Sequence, residues 1–326
     1  MSLHVFGAIV THHGTAANNR AENEGNITTL QKLLWFGRVH SSVSAEAIRF
    51  AIRRRLGEHE ETNRHWVESE QKPFNAWNDG AFEKWAAGES YIDDDVLGFM
   101  SADAAKEENN EESTTDGPKR KAKGTAKVRR SPLEVTRAIS LCPFGGDVTF
   151  NAASPGATPS AARKDEKKGA KGSVADVKNP VPYGTEVHAT RYQYGFALTP
   201  GSLRKPERAA IVVQAICALG EVAGNHGRFL YDFSPESAVF RITHDPAPRL
   251  LYVFDEDKKS HALDAPDLLS RVQAGDIPGS ELIVAGGFAR SDAARELAAL
   301  GATLEPGVRN AAKLVCDRIS TASREA

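Results

Sequence analysis

The segment Glu186–Thr199, EVHATRYQYGFALT, alternates strictly between two sets of side chains. His188, Thr190, Tyr192, Tyr194, Phe196 and Leu198 fall on one face, and Val187, Ala189, Arg191, Gln193, Gly195 and Ala197 on the other. A period of two belongs to a strand, because a helix would scatter these side chains around its axis. The aromatic face is the better core face, so the chain is committed to a sheet that something must cover.

Other segments supply that sheet and its cover. LHVFGAIV is a short apolar run bounded by a polar loop, which reads as a central strand over residues 3–12. In TTLQKLLWF, Thr28 stands three residues before Gln31, the spacing of a capping box, and this predicts a short helix over 29–36. In SAEAIRFAIRRRLGE, Ala45, Ile48, Ile52 and Leu56 share one arc, with Ser44 as N-cap, Glu46 in the first turn and Gly57 as the stop. PLEVTRAIS returns to strand-like composition. Downstream, helices are expected near 206–220, 264–274, 292–299 and 307–318, and strands at 238–244, 249–254 and in ELIVAGGF. The core order is strand, helix, strand, strand, helix, strand, which is α+β and ferredoxin-like.

Two long excursions interrupt this order. Residues 58–133 carry Trp66, Trp77 and Trp85, then YIDDDVLGFM, then an acidic block followed by Lys119, Arg120, Lys121, Lys123, Lys127, Arg129 and Arg130. Such a low-complexity tract cannot fold alone. Residues 142–185 are rich in Gly, Pro, Ala, Ser and Lys with little periodicity. A long loop inside a compact domain is rarely passive, so both excursions are candidates for the working parts. The net charge of -2 conceals this segregation and neither demands nor excludes a nucleic-acid partner. Cys142, Cys217 and Cys316 are widely spaced and form no CxxC pattern, which argues against a disulfide framework and a zinc site and fits a reducing cytoplasm. No signal-peptide pattern and no apolar run of spanning length is present, so neither export nor a membrane anchor is expected.

The residues that could carry chemistry divide into two groups. His12 and His13 could pass protons in metal-free RNA cleavage, but adjacent side chains at a strand end diverge and do not form a pair on one substrate atom. Asp93, Asp94 and Asp95 diverge for the same reason and read as caps, turns or salt bridges rather than a metal site. The second group points to a polyanion. Ser41, Ser42 and Ser44 lie where a helix begins, so hydroxyls and unpaired backbone N–H groups could face a phosphate, with Arg49 and Arg53 extending that surface. Arg20, Lys32, Asn18, Asn19 and Asn26 sit just upstream, and Arg191 lies on the alternating strand. Phe144, Val148 and Phe150 are apolar residues in an exposed-looking excursion, and could be wedges between bases or local core. Gly286 and Gly287 permit close backbone approach, either to a ligand or in a plain strand-to-helix turn.

Taken in order, NNRAENEGNITTLQKL, HSSVSAEAIRFAIRRRL, YIDDDVLGFM, HATRYQYGF and VAGGF resemble the DevR-type backbone subunit of type I CRISPR Cascade complexes, within the RAMP superfamily of modified RNA-recognition folds. The resemblance covers nearly the whole chain. It implies a hand-like scaffold: a ferredoxin-like palm (residues 1–57, 134–141 and 186–326), a finger insertion (58–133) and a thumb (142–185) that folds over a guide RNA. It implies that Ser44, Glu46, Arg49 and Arg53 match a helix start that contacts guide phosphates, although Glu46 departs from the amide common there. The implied partners are CRISPR RNA, target DNA, further head-to-tail copies of the chain and other Cascade subunits, with no cofactor, no metal and no catalytic residue. The alternative is a metal-independent RAMP endoribonuclease acting through His12 or His13. A regulatory module whose basic tract contacts nucleic acid incidentally is a third reading.

Overall fold

The computed structural model describes residues 2–17, 23–69, 74–101, 127–153, 181–223 and 230–325. Its main element is a nine-stranded sheet. Along the chain, the sheet and its helices begin with β1 (His4–Thr11), β2 (Lys32–Trp35), β3 (Arg38–Val43), α1 (Ala45–Leu56) and α2 (Ile92–Leu97). Then come β4 (Leu133–Val135), β5 (Ala138–Ser140), β6 (Tyr192–Leu198), α3 (Arg208–Cys217) and β7 (Pro235–Thr243). The chain ends with α4 (Pro266–Gln273), β8 (Leu282–Gly286), α5 (Asp292–Ala299), β9 (Thr303–Glu305) and α6 (Val308–Glu325). Across the sheet the order is β9-β8-β7-β1-β6-β5-β3-β2, with β4 also on β6. β1 is antiparallel to both β6 and β7, with Ala8 opposite Gly195 on one side and Val239 on the other.

Both faces of the sheet are covered. Ile9, Tyr192, Tyr194, Phe196 and Leu198 pack with Ile48 and Ile52 of α1, Val212 and Ile216 of α3 and Val315 of α6. On the other face, Phe6, Ala8, Val10 and Val239 pack with Leu268 of α4, Leu297 of α5 and the segment Leu250–Phe254. The aromatic face of β6 is the core face, as the alternation requires. Its opposite face is buried too, because Gln193 is 7% exposed. α1 keeps its expected bounds: Ser44 Oγ accepts from the Ala47 amide at 3.2 Å, Glu46 lies in the first turn, and Arg53, Arg54 and Arg55 in the last. That cap contributes on the order of 1 kcal/mol. Among the described residues no helix is long and apolar enough to cross a membrane.

Four expected elements differ. The alternating segment 186–199 is not one strand: Glu186 ends Val181–Glu186, His188–Thr190 pairs with Gly14–Ala16 in a separate two-stranded sheet, and only Tyr192–Leu198 joins the main sheet. The helix over 29–36 is instead a hairpin, in which Leu34 faces Val39 and Trp35 faces Arg38 across β2 and β3. The turn residues Phe36 and Gly37 have φ of 46° and 74°, and a two-residue turn with both values positive matches the right-handed twist of paired strands. The Thr28–Gln31 spacing imitates a cap but has no helix behind it. The strand expected at 249–254 is a loop: Arg249 and Tyr252 have φ of 54° and 55°, which breaks extended pairing. Its apolar residues are buried all the same, and Gln193 completes its backbone, accepting from the Phe254 N–H at 3.3 Å and donating to the Phe254 carbonyl at 3.1 Å. PLEVTRAIS becomes two short strands, β4 and β5, separated at Thr136 and Arg137.

Candidate nucleic-acid interface

The register places one set of loops together. Val10 of β1 faces Gln193 and Ser237, Ser237 faces Gly286, and Tyr192 faces Ser140. His12 and His13, the short strand His188–Thr190 paired with Gly14–Ala16, Gly286 and Gly287 and the loop after Ser140 therefore share one end of the sheet. The β2–β3 hairpin extends past that end, since Ile139 faces Ser42 while His40 and Val39 lie further out.

A small four-stranded sheet stands at this end, in the order Val148–Ala153, Val181–Glu186, Ile27–Thr28, Asn23–Glu24. Glu186 fastens it to the hairpin, accepting from Lys32 Nζ and from the Leu30 N–H, both at 2.7 Å. Phe150 faces Gly184, and Gly184 faces Ile27. A Cβ on Gly184 would lie 3.0 Å from Ile27 Cγ1 and 3.2 Å from Val148 Cγ1, so the glycine opens space between two apolar neighbours. Ile27, Val148 and Phe150 thus share a face, on which Phe150 is 80% exposed. Phe144 differs: its ring lies edge-on to His188 at 5.5 Å, with Lys32 Nζ 5.0 Å from its centroid. Of the wedge candidates, Phe150 projects furthest and Phe144 is part of the footing.

Several expected phosphate contacts have protein partners. Arg49 donates to Ser131 Oγ at 3.1 Å, the Leu133 carbonyl at 2.8 Å and the Leu97 carbonyl at 2.5 Å. Arg53 pairs with Asp93 at 3.1 Å. Leu133 faces Leu198, at the end of β6 opposite the loops, so these arginines do not continue the Lys32 surface. Ser44 caps α1, and Ser42 is 1% exposed beneath Arg137 Nη1 at 3.3 Å. Arg191 is held between Glu236 at 2.6 Å and Glu256 at 2.7 Å. Gly286 packs against Glu236. Asn26 is exposed, and its carbonyl accepts from the Gly184 amide at 2.8 Å. Asn18, Asn19 and Arg20 lie outside the described residues, as do residues 102–126, which include Lys119, Arg120, Lys121 and Lys123 of the basic tract, and residues 154–180 of the second excursion.

Sequence reading missed Arg38 and Arg137, both exposed: Arg38 faces Trp35 on the side of the hairpin opposite Lys32, and Arg137 Nη1 reaches that same side, 3.4 Å from Gln31 Oε1 and 3.3 Å from Ser42 Oγ. The only local signal for Arg38 is the Phe-Gly turn before it. His13 meets a partner far along the chain: its ring centroid is 6.0 Å from that of His261, whose Nδ1 is 2.9 Å from Glu256 Oε1. That pairing crosses most of the chain and leaves no local trace.

The aspartate triplet is a structural hub, and its carboxylates separate as adjacent residues should. Asp93 accepts from the Asn63 and Arg64 amides at 2.7 and 3.1 Å, Asp94 from Asn63 Nδ2 at 2.9 Å, and Asp95 from Arg129 at 2.8 Å and Arg208 at 3.1 Å. Burial, then the neighbouring Asp93 charge, pushes the Asp94 carboxyl up to about 7. A raised folded-state pKa gives stability that is fully present below the unfolded value near 4 and is lost as pH rises to about 7. Asp94→Asn should therefore gain on wild type between about pH 4 and pH 7, by on the order of 1 kcal/mol per pH unit at most, and level off above that, in urea unfolding. A constant difference across that range would refute the assignment.

The family model described as CRISPR-associated negative auto-regulator DevR/Csa2 matches residues 10–274. A CRISPR-associated protein Cas7/Cst2/DevR from Myxococcus xanthus (strain DK1622) is 54% identical over 323 residues, covering 98% of each chain. A chain of a CRISPR RNA-guided surveillance complex superposes with TM-score 0.52 at 12% identity, covering 97% of this chain and 99% of that one. A second, from such a complex in a pre-nicking state, gives TM-score 0.55 at 10% identity and covers 97% and 100%. With a family match over most of its length and a relative of this identity, the chain belongs to the DevR/Csa2 family of CRISPR-associated proteins.

Proposed function

We propose that this protein is a non-catalytic backbone subunit that polymerises along the spacer of a CRISPR RNA and presents it for pairing with target DNA. The observation that carries this reading is the small sheet at the end of the main one, on which Phe150 projects 80% exposed and which Glu186 fastens to Lys32 of the hairpin. Similarity to subunits of RNA-guided surveillance complexes supports it. The antiparallel order β7-β1-β6-β5, with α1 and α3 on one face, supports reading the core as a ferredoxin-like palm. Residues 58–133 then act as the finger and 142–185 as the thumb. Leu34 and Phe36, 72% and 90% exposed on the hairpin tip, are suited to cover by the next copy.

In this reading Lys32, Arg38, Arg137 and Asn26 meet the guide, together with Asn18, Asn19 and Arg20. Ser42, Ser44, Arg49, Arg53, Arg191, Gly286 and Gly287 hold the frame behind them. A scaffold that accepts any spacer must rely on phosphate contacts, so binding should be tolerant of sequence and sensitive to salt. Removing Arg38 and Arg137 together should reduce the salt slope by about 0.7 per lost contact for many guides alike, while leaving the Lys32–Glu186 tether intact. Phe150→Ala should weaken guide binding by about 1–3 kcal/mol while leaving the unfolding midpoint unchanged, because its side chain stacks on bases rather than on the core. Purification of the full chain from cells expressing a CRISPR array tests the whole reading. Copurified RNA of uniform length with repeat-derived ends is the expected result, and chain free of RNA would count against it.

One observation favours a second reading, as a metal-independent endoribonuclease. His13 and His261 stand 6.0 Å apart at the same end of the sheet, and Glu256 orients His261. Site-specific cleavage of precursor RNA by purified protein, lost in both His13→Ala and His261→Ala, would select it.

A further inference from the structure

Three apolar side chains project from the β2–β3 hairpin. Leu34 and Val39 face each other across its strands, 72% and 45% exposed, and Phe36 stands at the turn, 90% exposed. The tip is braced from behind. Phe36 lies edge-on to Trp35 at 5.1 Å, and Trp35 lies 5.1 Å from the Tyr252 ring of the segment that covers the second sheet face. From Lys32 to Ser41 the hairpin carries Lys32 and Arg38 and no carboxylate.

A groove of about 970 Å³ opens between α1 and the ribbon made by Arg64–Val67 and Phe74–Trp77. Its ribbon wall is the alternate set Arg64, Trp66 and Glu68. Its helix wall is one stripe of α1, where Ala47 and Ala51 are small enough to keep the groove open and Phe50 meets Trp66 edge-on at 6.2 Å. Most of the groove's cations have partners: Arg53 pairs with Asp93, Arg54 with Glu221, and Arg64 lies over the Trp77 ring at 5.3 Å. Glu46 and Glu68 are exposed and make no ion pair among the described residues. An apolar floor with carboxylates to spare repels a phosphate backbone and suits an apolar, cationic protein tip.

We propose that the β2–β3 tip of one copy docks in the groove between α1 and the ribbon of the next. The inference rests on the polymerising-scaffold reading above and names the contact that polymerisation uses. The tip does not reach its own chain's groove, because Tyr252 braces it from the covering of one sheet face and α1 lies on the other. The contact therefore joins unlike surfaces and leaves a free tip at one end of a row and a free groove at the other. Three side chains cover well under the roughly 800 Å² per partner of a stable complex. Copies accordingly stay apart in dilute solution and add side by side on a shared RNA, which raises their effective concentration.

The test uses the full chain and avoids Arg38, which the guide also meets. Phe36→Asn puts the preferred residue before Gly37 in such a turn, so the urea midpoint should not fall. It should bind a guide fragment long enough for one copy as wild type does, yet need about tenfold or more protein to fill a full-length guide in native mass measurements. Trp66→Ala should do the same from the groove side; if its urea midpoint falls, Glu68→Lys, exposed at the end of the ribbon strand, takes its place. An equimolar mixture of a tip variant and a groove variant should form pairs on the guide and nothing longer, because only one intact tip and one intact groove can meet. Filling by either variant at the wild-type concentration overturns the proposal, as does a mixture that forms no pairs. An arm without RNA places p-benzoylphenylalanine at position 36. Irradiated at high protein concentration, it should cross-link to residues 46–54 or 64–68 of another copy, and adducts confined to other segments overturn the docking. Cross-links in the groove from a chain that binds no guide count against the RNA-binding reading alone.

Discussion

Replacing Asp95 with alanine should lower the unfolding free energy by about 3–5 kcal/mol, the largest loss expected from any single carboxylate in this fold. Asp95 is 0% exposed and Arg208 is 1% exposed. Asp95 accepts from Arg129 and Arg208 and from the backbone amides of Arg204 and Lys205 at 2.8 and 3.1 Å. Removing it leaves one guanidinium wholly buried with only Glu60 and Ser90 as partners and orphans two amide donors. The urea midpoint should fall with the slope unchanged. Glu58→Ala, which breaks the exposed pair with Arg55, should be silent by the same measurement. An equal effect at both sites would mean that the buried hub carries no special weight.

The hub also bears on how the basic tract is read. Arg129 belongs to that run in the sequence, yet it donates to Asp95 and to the Ser202 carbonyl, and it stacks over Trp85 at 4.4 Å. This end of the tract is anchored in the fold. Arg49 and Arg53 teach the same lesson: an exposed-looking arc of arginines on an amphipathic helix became tethers to the 93–97 and 131–133 segments. Sequence periodicity identifies the face of a helix but not what comes to lie over it, and here the cover arrives from 40 and more residues away.

What was legible follows from how locally each feature is determined. β1, α1 and α5 were read correctly because their periodicity and caps lie within a dozen residues, and Ser44 and Ser291 both cap as expected from such residues, whereas the alternation over 186–199 gave the right faces but hid the breaks at Val187 and Arg191. The β2–β3 hairpin was hidden because its turn puts phenylalanine, not asparagine or aspartate, in the left-handed region before glycine. The 250–254 segment was hidden because its backbone is completed by the Gln193 side chain rather than by a strand. For the candidate site, Lys32 and the Phe144–Phe150 region, proposed from sequence, come to lie at one end of the sheet. The neighbours that decide whether a charge is available could not be read: Arg191 meets Glu236 and Glu256, and His13 meets His261, only after the chain has folded.

Gly286 and Gly287 separate the two meanings of a glycine pair at a strand end. Gly286→Ala should cost about 2–5 kcal/mol of stability, from backbone strain and overlap together. Its φ of 80° with ψ of -149° is a region that side chains avoid, and a Cβ there would sit 2.0 Å from the Glu236 carbonyl oxygen. That carbonyl belongs to β7, whose Ser237 pairs with Gly286, so relief would require the two strands to part. Gly287 is different. A Cβ at this position meets only the Glu236 and Ser237 side chains, at 3.3 and 3.5 Å, and both can give. Gly287→Ala should therefore fold normally, with a urea midpoint close to wild type. If the pair exists for packing, guide affinity in Gly287→Ala will also match wild type, and the whole cost will fall on Gly286. A Gly287→Ala protein that folds normally but binds guides weakly would mean instead that RNA approaches this strand end, and the frame assigned to Gly287 would become part of the RNA-contacting surface.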